Sequence, residues 1–314
     1  MKANISILIL LFAGVVGCCA CSSPKADGRS AVVKSAVAAP RDTAPQPVDA
    51  VYSPADSLEI VRLLARGLRE YSPEEATLSF ARHFVGRPYV GQTLEQTPSE
   101  RLIVNLKGLD CTTLVETVAA LTLTYSQQST SFADFCANLR RLRYFDGRLN
   151  GYLSRLHYFG WWIADNERRG LVATVAVPAT LADKFTWNVG YMSAHPDKYR
   201  HLDGRPARID SIRALEKRFN GTVRTYLPKD KTGLPREQLS MIHDGDILAI
   251  VTSKKGLDYA HLGFAVWGRD GKLHLLNASS LYKKVVEDEV TLQTYLSRHP
   301  SFLGVEVLRL KATP

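Results

Sequence analysis

The sequence predicts an α+β fold in which N-terminal helices pack on an antiparallel sheet formed by the last third of the chain. Apolar residues recur at helical spacing from about residue 56 to about residue 139. Strand-like apolar runs come later, at 246–252, 260–267, 273–278 and 305–310. Because helices and strands do not alternate along the chain, the pattern disfavours a doubly wound parallel sheet.

Each predicted helix has its own sequence signal. The first shows apolar residues three or four positions apart, at Leu58, Val61, Leu64 and Leu68. Ser72 begins the second as an N-cap followed by a proline and two glutamates, and the segment 86–91 ends it. Asp110 is the predicted N-cap of the third helix, and a fourth begins near Ser131. Residues 145–240 show mixed patterns, and we expect extra helical insertions there.

The N-terminus has the features of a secretory signal peptide. A basic residue precedes a short apolar stretch, and Val-Val-Gly leads directly into Cys18. This order resembles a bacterial lipobox, whose cysteine is lipidated and becomes the mature N-terminus. We therefore expect a signal peptide over 1–17, a lipid anchor on Cys18, and a periplasmic or cell-surface position on a bacterial membrane. The alternatives are lipidation at Cys19 or Cys21, or an ordinary signal cleaved near Ala20.

Composition separates a tether from a folded domain. Residues 18–53 are rich in Ala, Pro, Ser and Asp without apolar periodicity and form the predicted flexible tether, so one folded domain covers 54–314. A 45% hydrophobic content supports a core, and five cysteines are too few for a disulfide scaffold. The net charge of +9 favours anionic surroundings such as a membrane or a cell-wall polymer. Because no basic helix or aromatic-basic pattern concentrates this charge, nucleic-acid binding is not expected.

Cys111 lies in the first turn of the third predicted helix, directly after Asp110. Free backbone N–H groups and the helix dipole favour an anion at this position. They would lower the pKa of the thiol and make it a better nucleophile. A small buried residue that packs the start of the helix is the alternative, and the position alone leaves both interpretations open.

His261 and Asn277 fall on two neighbouring predicted strands. A histidine can take a proton from a thiol and return it to a leaving amine, although a strand-end histidine bonded to a carbonyl group is the alternative. If 269–271 forms a three-residue hairpin loop with its glycine in the left-handed conformation, Asn277 lies opposite Gly263 and diagonally within reach of His261. The amide oxygen of Asn277 would then accept the imidazole N–H and fix its tautomer. A two-residue Asp-Gly turn would place Asn277 on the other face.

These motifs resemble those of the NlpC/P60 cysteine peptidases of bacterial cell walls. They occur in that family's order at Gly86–Gly91, Gly108–Val115, His261–Val266 and Leu276–Ser279. Longer segments are similar to the DUF1460 branch of the superfamily: Asn105–Glu116, Tyr158–Asn166 and Gly256–Phe264. That branch is associated with N-acetylmuramoyl-L-alanine amidase activity. The resemblance extends over roughly 56–310, which is essentially the whole predicted domain.

The resemblance implies a papain-like NlpC/P60 fold and a role for each matching residue. Cys111 matches the nucleophile, His261 the base, and Asn277 the third polar residue that orients the base. Tyr89 and Asp110 match residues that border the active site, where the Tyr89 hydroxyl would assist the backbone N–H groups in holding an oxyanion.

The implied function is a cysteine-dependent amidase without metal or cofactor. Its substrate would be the amide between the lactyl group of N-acetylmuramic acid and L-alanine, in peptidoglycan or in muropeptides. Two positions depart from the superfamily pattern: Thr112 replaces a serine, and Asn277 stands where histidine is more frequent. Both bear on the substrate rather than on the reaction type. The alternatives are an endopeptidase that cuts between D-glutamate and the diamino acid, a catalytically silent wall-binding lipoprotein, and an acyltransferase.

The remaining polar and aromatic residues fall into two groups: some have both a binding and a structural interpretation, and the others have only a structural one. Five residues have two interpretations: they form a sugar-binding wall, because aromatic faces stack on pyranose rings, or they are part of the core. They are Tyr158, Trp161, Trp162, Asp165 and Asn166. Cys136 is predicted as a buried thiol and His243 as a turn residue. No metal site is expected, because metal-ligand spacing is missing around His157, His195 and His201.

Overall fold

The computed structural model of the chain describes residues 49–311. The predicted signal peptide, Cys18, Cys19, Cys21 and the tether up to residue 48 lie outside the described residues. The end of the predicted tether is already part of the fold, since the Val51 N–H donates to the Leu102 carbonyl at 2.8 Å and the Val104 N–H to the Val51 carbonyl at 2.9 Å. The predicted boundary at residue 53 is therefore a few residues late. No helix among residues 49–311 is long and apolar enough to cross a membrane.

The described residues contain eight α-helices. They are α1 Pro54–Glu70, α2 Pro73–His83, α3 Cys111–Ser126, α4 Phe132–Arg143, α5 Phe159–Arg168, α6 Tyr191–Ala194, α7 Pro206–Phe219 and α8 Leu292–Ser297. The predicted N-caps at Ser72 and Asp110 stand directly before α2 and α3, and α4 begins directly after Ser131, near its predicted start. Local capping chemistry therefore predicts where these three helices begin.

The buried face of α1 differs from the predicted one. Leu64 is buried as predicted, but Leu58 is 48% exposed, and Ile60 and Leu63 take its place in the core. The close approach of α2 fixes this face, because a Cβ at Gly67 would lie only 2.8 Å from the Phe80 ring. Packing against a neighbour that the periodicity does not reveal thus rotates the apolar stripe.

The eight strands of the described residues pair in antiparallel fashion. They are β1 Val172–Thr174, β2 Asp183–Thr186, β3 Val223–Pro228, β4 Ile247–Thr252, β5 Tyr259–Trp267, β6 Leu273–Ser279, β7 Lys284–Glu287 and β8 Phe302–Leu310. Their order is β2-β3-β8-β4-β5-β6-β7, with β1 also pairing with β8. The four predicted strands are β8, β4, β5 and β6, which are neighbours in this order. The prediction of helices combined with an antiparallel sheet is confirmed.

Both faces of the sheet are covered, so alternate residues of β5 belong to different cores. Leu262 and Phe264 pack in the same core as α3, which is buried from Thr113 to Tyr125. Ala265 packs on the opposite face, in the core that contains Leu292 of α8. This alternation leaves His261 at the start of β5, on the strand face that it shares with Ala265.

Candidate active site

A capping box fixes the backbone around Cys111. Asp110 Oδ1 accepts the Thr113 N–H at 2.8 Å, and Thr113 Oγ1 accepts the Asp110 N–H at 2.9 Å. Cys111 is therefore the first residue of α3, as predicted, and its side chain is half-buried. Within residues 49–311 the Cys111 N–H has no hydrogen-bond acceptor, as is usual for the first turn of a helix.

A short parallel bridge holds Tyr89 beside this helix start. The Val90 N–H donates to the Leu109 carbonyl at 3.1 Å, and the Leu109 N–H donates to the Pro88 carbonyl at 3.0 Å. The pKa of the Tyr89 phenol is raised by burial and by the nearby Cys111 and Asp110. Tyr89 thus lies next to Cys111, where the sequence motif leads us to expect it.

The β5–β6 hairpin brings Asn277 to His261. Phe264 pairs with Leu276 and Trp267 with Leu273, and Gly271 has a φ of 71°, so the observed register is the predicted three-residue-loop register. A Cβ at Gly263 would lie 3.1 Å from the Cβ of Asn277, which places the two residues opposite each other.

The hydrogen bond that this register allows is present. His261 Nε2 donates to Asn277 Oδ1 at 2.9 Å, and Asn277 is completely buried. Because the amide oxygen can only accept, the bond holds the proton on Nε2 and leaves Nδ1 as the free base of the ring. The pairing of β4 with β5 shifts by one residue at Ala260, directly before His261, and such shifts often re-aim a side chain.

Cys111 and His261 line one cavity of about 330 Å³. Asp110, Tyr158 and Asp258 also line it, whereas Asn277 lies behind His261 as its support. The helix start and the strand start therefore present a thiol and an imidazole to the same space.

Burial determines the protonation of both groups. Together with the Asp110 carboxylate it raises the pKa of the Cys111 thiol to about 12, against smaller lowering contributions from Thr112 and the Leu262 backbone. Burial also lowers the pKa of His261, although the bond to Asn277 opposes this change. Both directions favour a neutral thiol and a neutral imidazole in the free protein, rather than the thiolate that the helix N-terminus alone would favour.

Asp258 is a cavity residue that sequence reasoning missed. Its carboxylate accepts the Gly160 N–H at 2.7 Å and the Tyr259 N–H at 2.7 Å, so it joins the start of α5 to the start of β5. Burial raises the pKa of this carboxyl to about 6. Its place three residues before His261 was the available signal.

Of the two interpretations of the cluster at 158–166, a part of the core fits Trp161 and Trp162. Trp161 and Trp162 are completely buried in the core and expose no ring face to a ligand. Asp165 is buried and pairs with Arg169 at 2.8 Å, and Asn166 donates to the Leu142 carbonyl at 2.9 Å.

Tyr158 alone of the five borders the cavity, and its hydroxyl is engaged. It donates to Glu216 at 2.7 Å and accepts the Met192 N–H at 2.9 Å. Outside the cavity, Cys136 is buried and His243 occupies a turn, as predicted. Within residues 49–311, no three His, Cys, Asp or Glu side chains come together in a way that could hold a metal ion.

Comparisons with known proteins identify relatives of the whole domain. A solved structure of an N-acetylmuramoyl-L-alanine amidase from Bacteroides uniformis is 40% identical, with a TM-score of 0.71, and the match covers 76% of this chain and 99% of that one. A Bacteroides fragilis structure described as a candidate xylanase is 39% identical, with a TM-score of 0.69, over 74% of this chain and 100% of that one. A DUF1460 protein from Legionella pneumophila shares the fold at 24% identity and a TM-score of 0.64, over 82% of this chain and 94% of that one. No curated protein matches the sequence.

The family model that matches the chain is AmiA-like and described as N-acetylmuramoyl-L-alanine amidase-like. It covers residues 79–305, which is more than half of the sequence and includes Tyr89, Cys111, His261 and Asn277. A match of this extent, together with a relative of 40% identity covered almost end to end, establishes the relationship. The chain therefore belongs to the AmiA-like family of N-acetylmuramoyl-L-alanine amidase-like proteins.

Proposed function

We propose that this protein is a cysteine-dependent N-acetylmuramoyl-L-alanine amidase of the NlpC/P60 superfamily. The observation that carries the proposal is the Asn277-supported imidazole of His261 in the same cavity as Cys111. Membership of the AmiA-like family and a relative named as such an amidase support the choice of substrate. The proposed substrate bond is the amide between the lactyl group of N-acetylmuramic acid and L-alanine.

The reaction begins from the neutral pair. His261 Nδ1 takes the Cys111 proton as the sulfur forms a bond to the amide carbon. Neither a thiolate nor an oxyanion therefore has to exist before the substrate binds. The Cys111 N–H, which has no acceptor in residues 49–311, is available to the developing oxyanion, with the Tyr89 hydroxyl as a second donor. Collapse of the tetrahedral intermediate breaks the C–N bond while the imidazolium returns its proton to the L-alanine nitrogen.

Water completes the cycle. It attacks the remaining thioester and gives a proton to His261, and the C–S bond breaks to release the lactyl carboxylate. The proton returns to the sulfur, so Cys111 ends as a thiol. Asn277 keeps Nε2 protonated throughout, which leaves Nδ1 free for each transfer.

A glycosidase, which the description of the B. fragilis relative would suggest, is less compatible with the cavity. Glycoside hydrolysis generally needs two carboxyl groups facing the sugar bond. The four cavity carboxylates instead have structural partners: Glu95 pairs with Arg155, Asp110 caps α3, Glu116 pairs with Arg143 at 2.7 Å, and Asp258 accepts two backbone N–H groups. We therefore favour attack by sulfur over sugar hydrolysis.

We also propose that the chain is attached to a bacterial membrane by a lipid on Cys18, facing the periplasm or the cell surface. The sequence signal of a basic start, an apolar stretch and Val-Val-Gly-Cys supports this location. Metabolic labelling with a clickable fatty acid should mark the parent protein and leave a Cys18→Ala variant unlabelled. Equal labelling of both proteins would refute the assignment to Cys18.

Mass spectrometry of defined muropeptides tests the function. The full-length parent protein should release an intact peptide that begins with L-alanine, and Cys111→Ala should release none. Cys136→Ala is the matched control, because this other described cysteine is buried away from the cavity and its loss should leave the products unchanged.

Each other result selects an alternative. A cut after D-glutamate would indicate the endopeptidase, and a new amide formed with an added amine would indicate the acyltransferase. Binding to the wall without any cleavage would indicate the silent lipoprotein.

A further inference from the structure

A second cavity also has His261 in its lining. Its volume is about 310 Å³, and it shares Ala260 and His261 with the first cavity, whereas Cys111 lines the first cavity alone. Tyr295 of α8 lies in its wall, with its ring centroid 6.4 Å from that of His261. His261 thus lines both cavities, which we call the first and the second arm.

The free charges in the second arm are positive. Lys254 and Arg298 line it, both are exposed, and neither forms a salt bridge within residues 49–311. The acidic residue of the lining, Asp288, is buried, and burial raises the pKa of its carboxyl, although the nearby Arg298 opposes this change without forming a salt bridge. An arm with two unpaired cations at its mouth is suited to an anionic ligand.

The chemistry of the cleavage indicates which half of the substrate reaches this arm. His261 must lie beside the nitrogen that it protonates, so the group attached to that nitrogen extends past the imidazole. The acyl group stays on the side of Cys111. The leaving peptide of a muropeptide therefore enters the second arm, and its second residue, a γ-linked D-glutamate, carries a free α-carboxylate.

We propose that the second arm binds the leaving stem peptide and that Arg298 and Lys254 recognise its free carboxylate. This assignment rests on the proposed amidase function, since it takes the peptide as the leaving half. Leu281 and Tyr282 line the same arm and are largely exposed, at 76% and 47%, so they provide an apolar rim for the peptide side chains. Arg298 is the stronger candidate because a guanidinium can hold a carboxylate through two parallel hydrogen bonds.

Binding of the product peptide tests this assignment without turnover. We would measure, by calorimetry, the affinity of full-length Cys111→Ala for L-Ala-D-Glu with its γ-carboxyl capped as a methylamide, and for the analogue whose α-carboxyl is also an amide. We expect the acid to bind about tenfold more tightly than the amide, the size of effect that one charge-assisted hydrogen bond gives. Adding Arg298→Gln should remove most of this preference while retaining the affinity for the amide, adding Lys254→Gln as well should abolish it, and Arg298→Lys should restore part of it.

Arg62→Gln is the matched control, because Arg62 is an exposed arginine on α1 without a salt bridge among the described residues. The proposal is overturned if the acid does not bind, if acid and amide bind equally, or if Arg298→Gln weakens both to the same extent. A failed amidase assay combined with an intact, Arg298-dependent preference would instead refute the proposed reaction and leave the carboxylate site standing.

Discussion

Removal of the Asn277 amide should impair the chemistry of His261 with little change in the cleft itself. Asn277 is completely buried, and its Oδ1 is the acceptor that His261 Nε2 finds at 2.9 Å. Asn277→Ala leaves this donor without a partner and lets the ring exchange tautomers. Protonation at Nδ1 would then block the nitrogen that must take the thiol proton.

The magnitude follows from the one bond that is lost. A hydrogen bond between uncharged groups contributes about 1 kcal/mol, and a buried donor left without an acceptor costs roughly 1–3 kcal/mol. We therefore expect kcat/KM for a muropeptide to fall by about 5- to 150-fold, since about 1.4 kcal/mol corresponds to a factor of ten.

Asn277→Asp provides a readout that a purely structural role would not change. Asn277 Nδ2 has no partner within residues 49–311, so the aspartate keeps the acceptor and breaks no other bond. Its negative charge should raise the pKa of His261 and move the acidic limb of the rate profile to higher pH. Thermal melts of all three proteins serve as the folding control. Parent-like kcat/KM in a normally folded Asn277→Ala, or an unshifted profile in Asn277→Asp, would refute the orienting role.

Three further predictions concern the thiol and its surroundings. The rate of iodoacetamide labelling of Cys111 should rise continuously from pH 6 to pH 10. Asp110→Asn should move this curve to lower pH, since asparagine caps a helix equally well without charge. A rapid plateau below pH 7 would contradict the neutral pair. Gly263→Ala should lower stability by roughly 1–3 kcal/mol and reduce activity, because the new Cβ would lie 2.5 Å from the Leu276 carbonyl oxygen, and an unchanged melting temperature would contradict this. Arg143→Met should lower the free energy of unfolding in urea by roughly 3–5 kcal/mol, because it leaves the buried Glu116 carboxylate unpaired. Adding Glu116→Gln should recover part of this loss. If none is recovered, the ion pair is not its cause.

Local chemistry made much of the site predictable from the sequence. The capping box joins Asp110 to Thr113, so a motif of four residues fixes the start of α3 and the position of Cys111. The β5–β6 hairpin is equally local, because the length of its loop and the left-handed Gly271 determine the parity of every later pair. Asn277 could therefore be placed on the His261 face from turn geometry alone.

Features that depend on distant contacts were not predictable in this way. The aromatic run at the start of α5 has the composition of a binding wall, but Trp161 and Trp162 point into the core that α5 shares with the helices around it. Asp258 is a cavity residue because α5 supplies the Gly160 N–H from 98 positions away. The burial of the tryptophans leaves no period or motif in the sequence, and the place of Asp258 three residues before His261 does not by itself reveal its contact with α5.

Asp110 shows why the protonation of Cys111 could not be read from its position on the helix. An anion is favoured at the start of α3, but the Asp110 carboxylate is the anion that holds the Thr113 N–H there. The burial of the sulfur and the same carboxylate raise the thiol pKa to about 12, which favours the neutral thiol at pH 7. The residue that positions the nucleophile thus also keeps it protonated. A reactive sulfur then forms only when a bound amide brings the base and the oxyanion donors into use together, so low reactivity of Cys111 toward small electrophiles does not argue against catalysis.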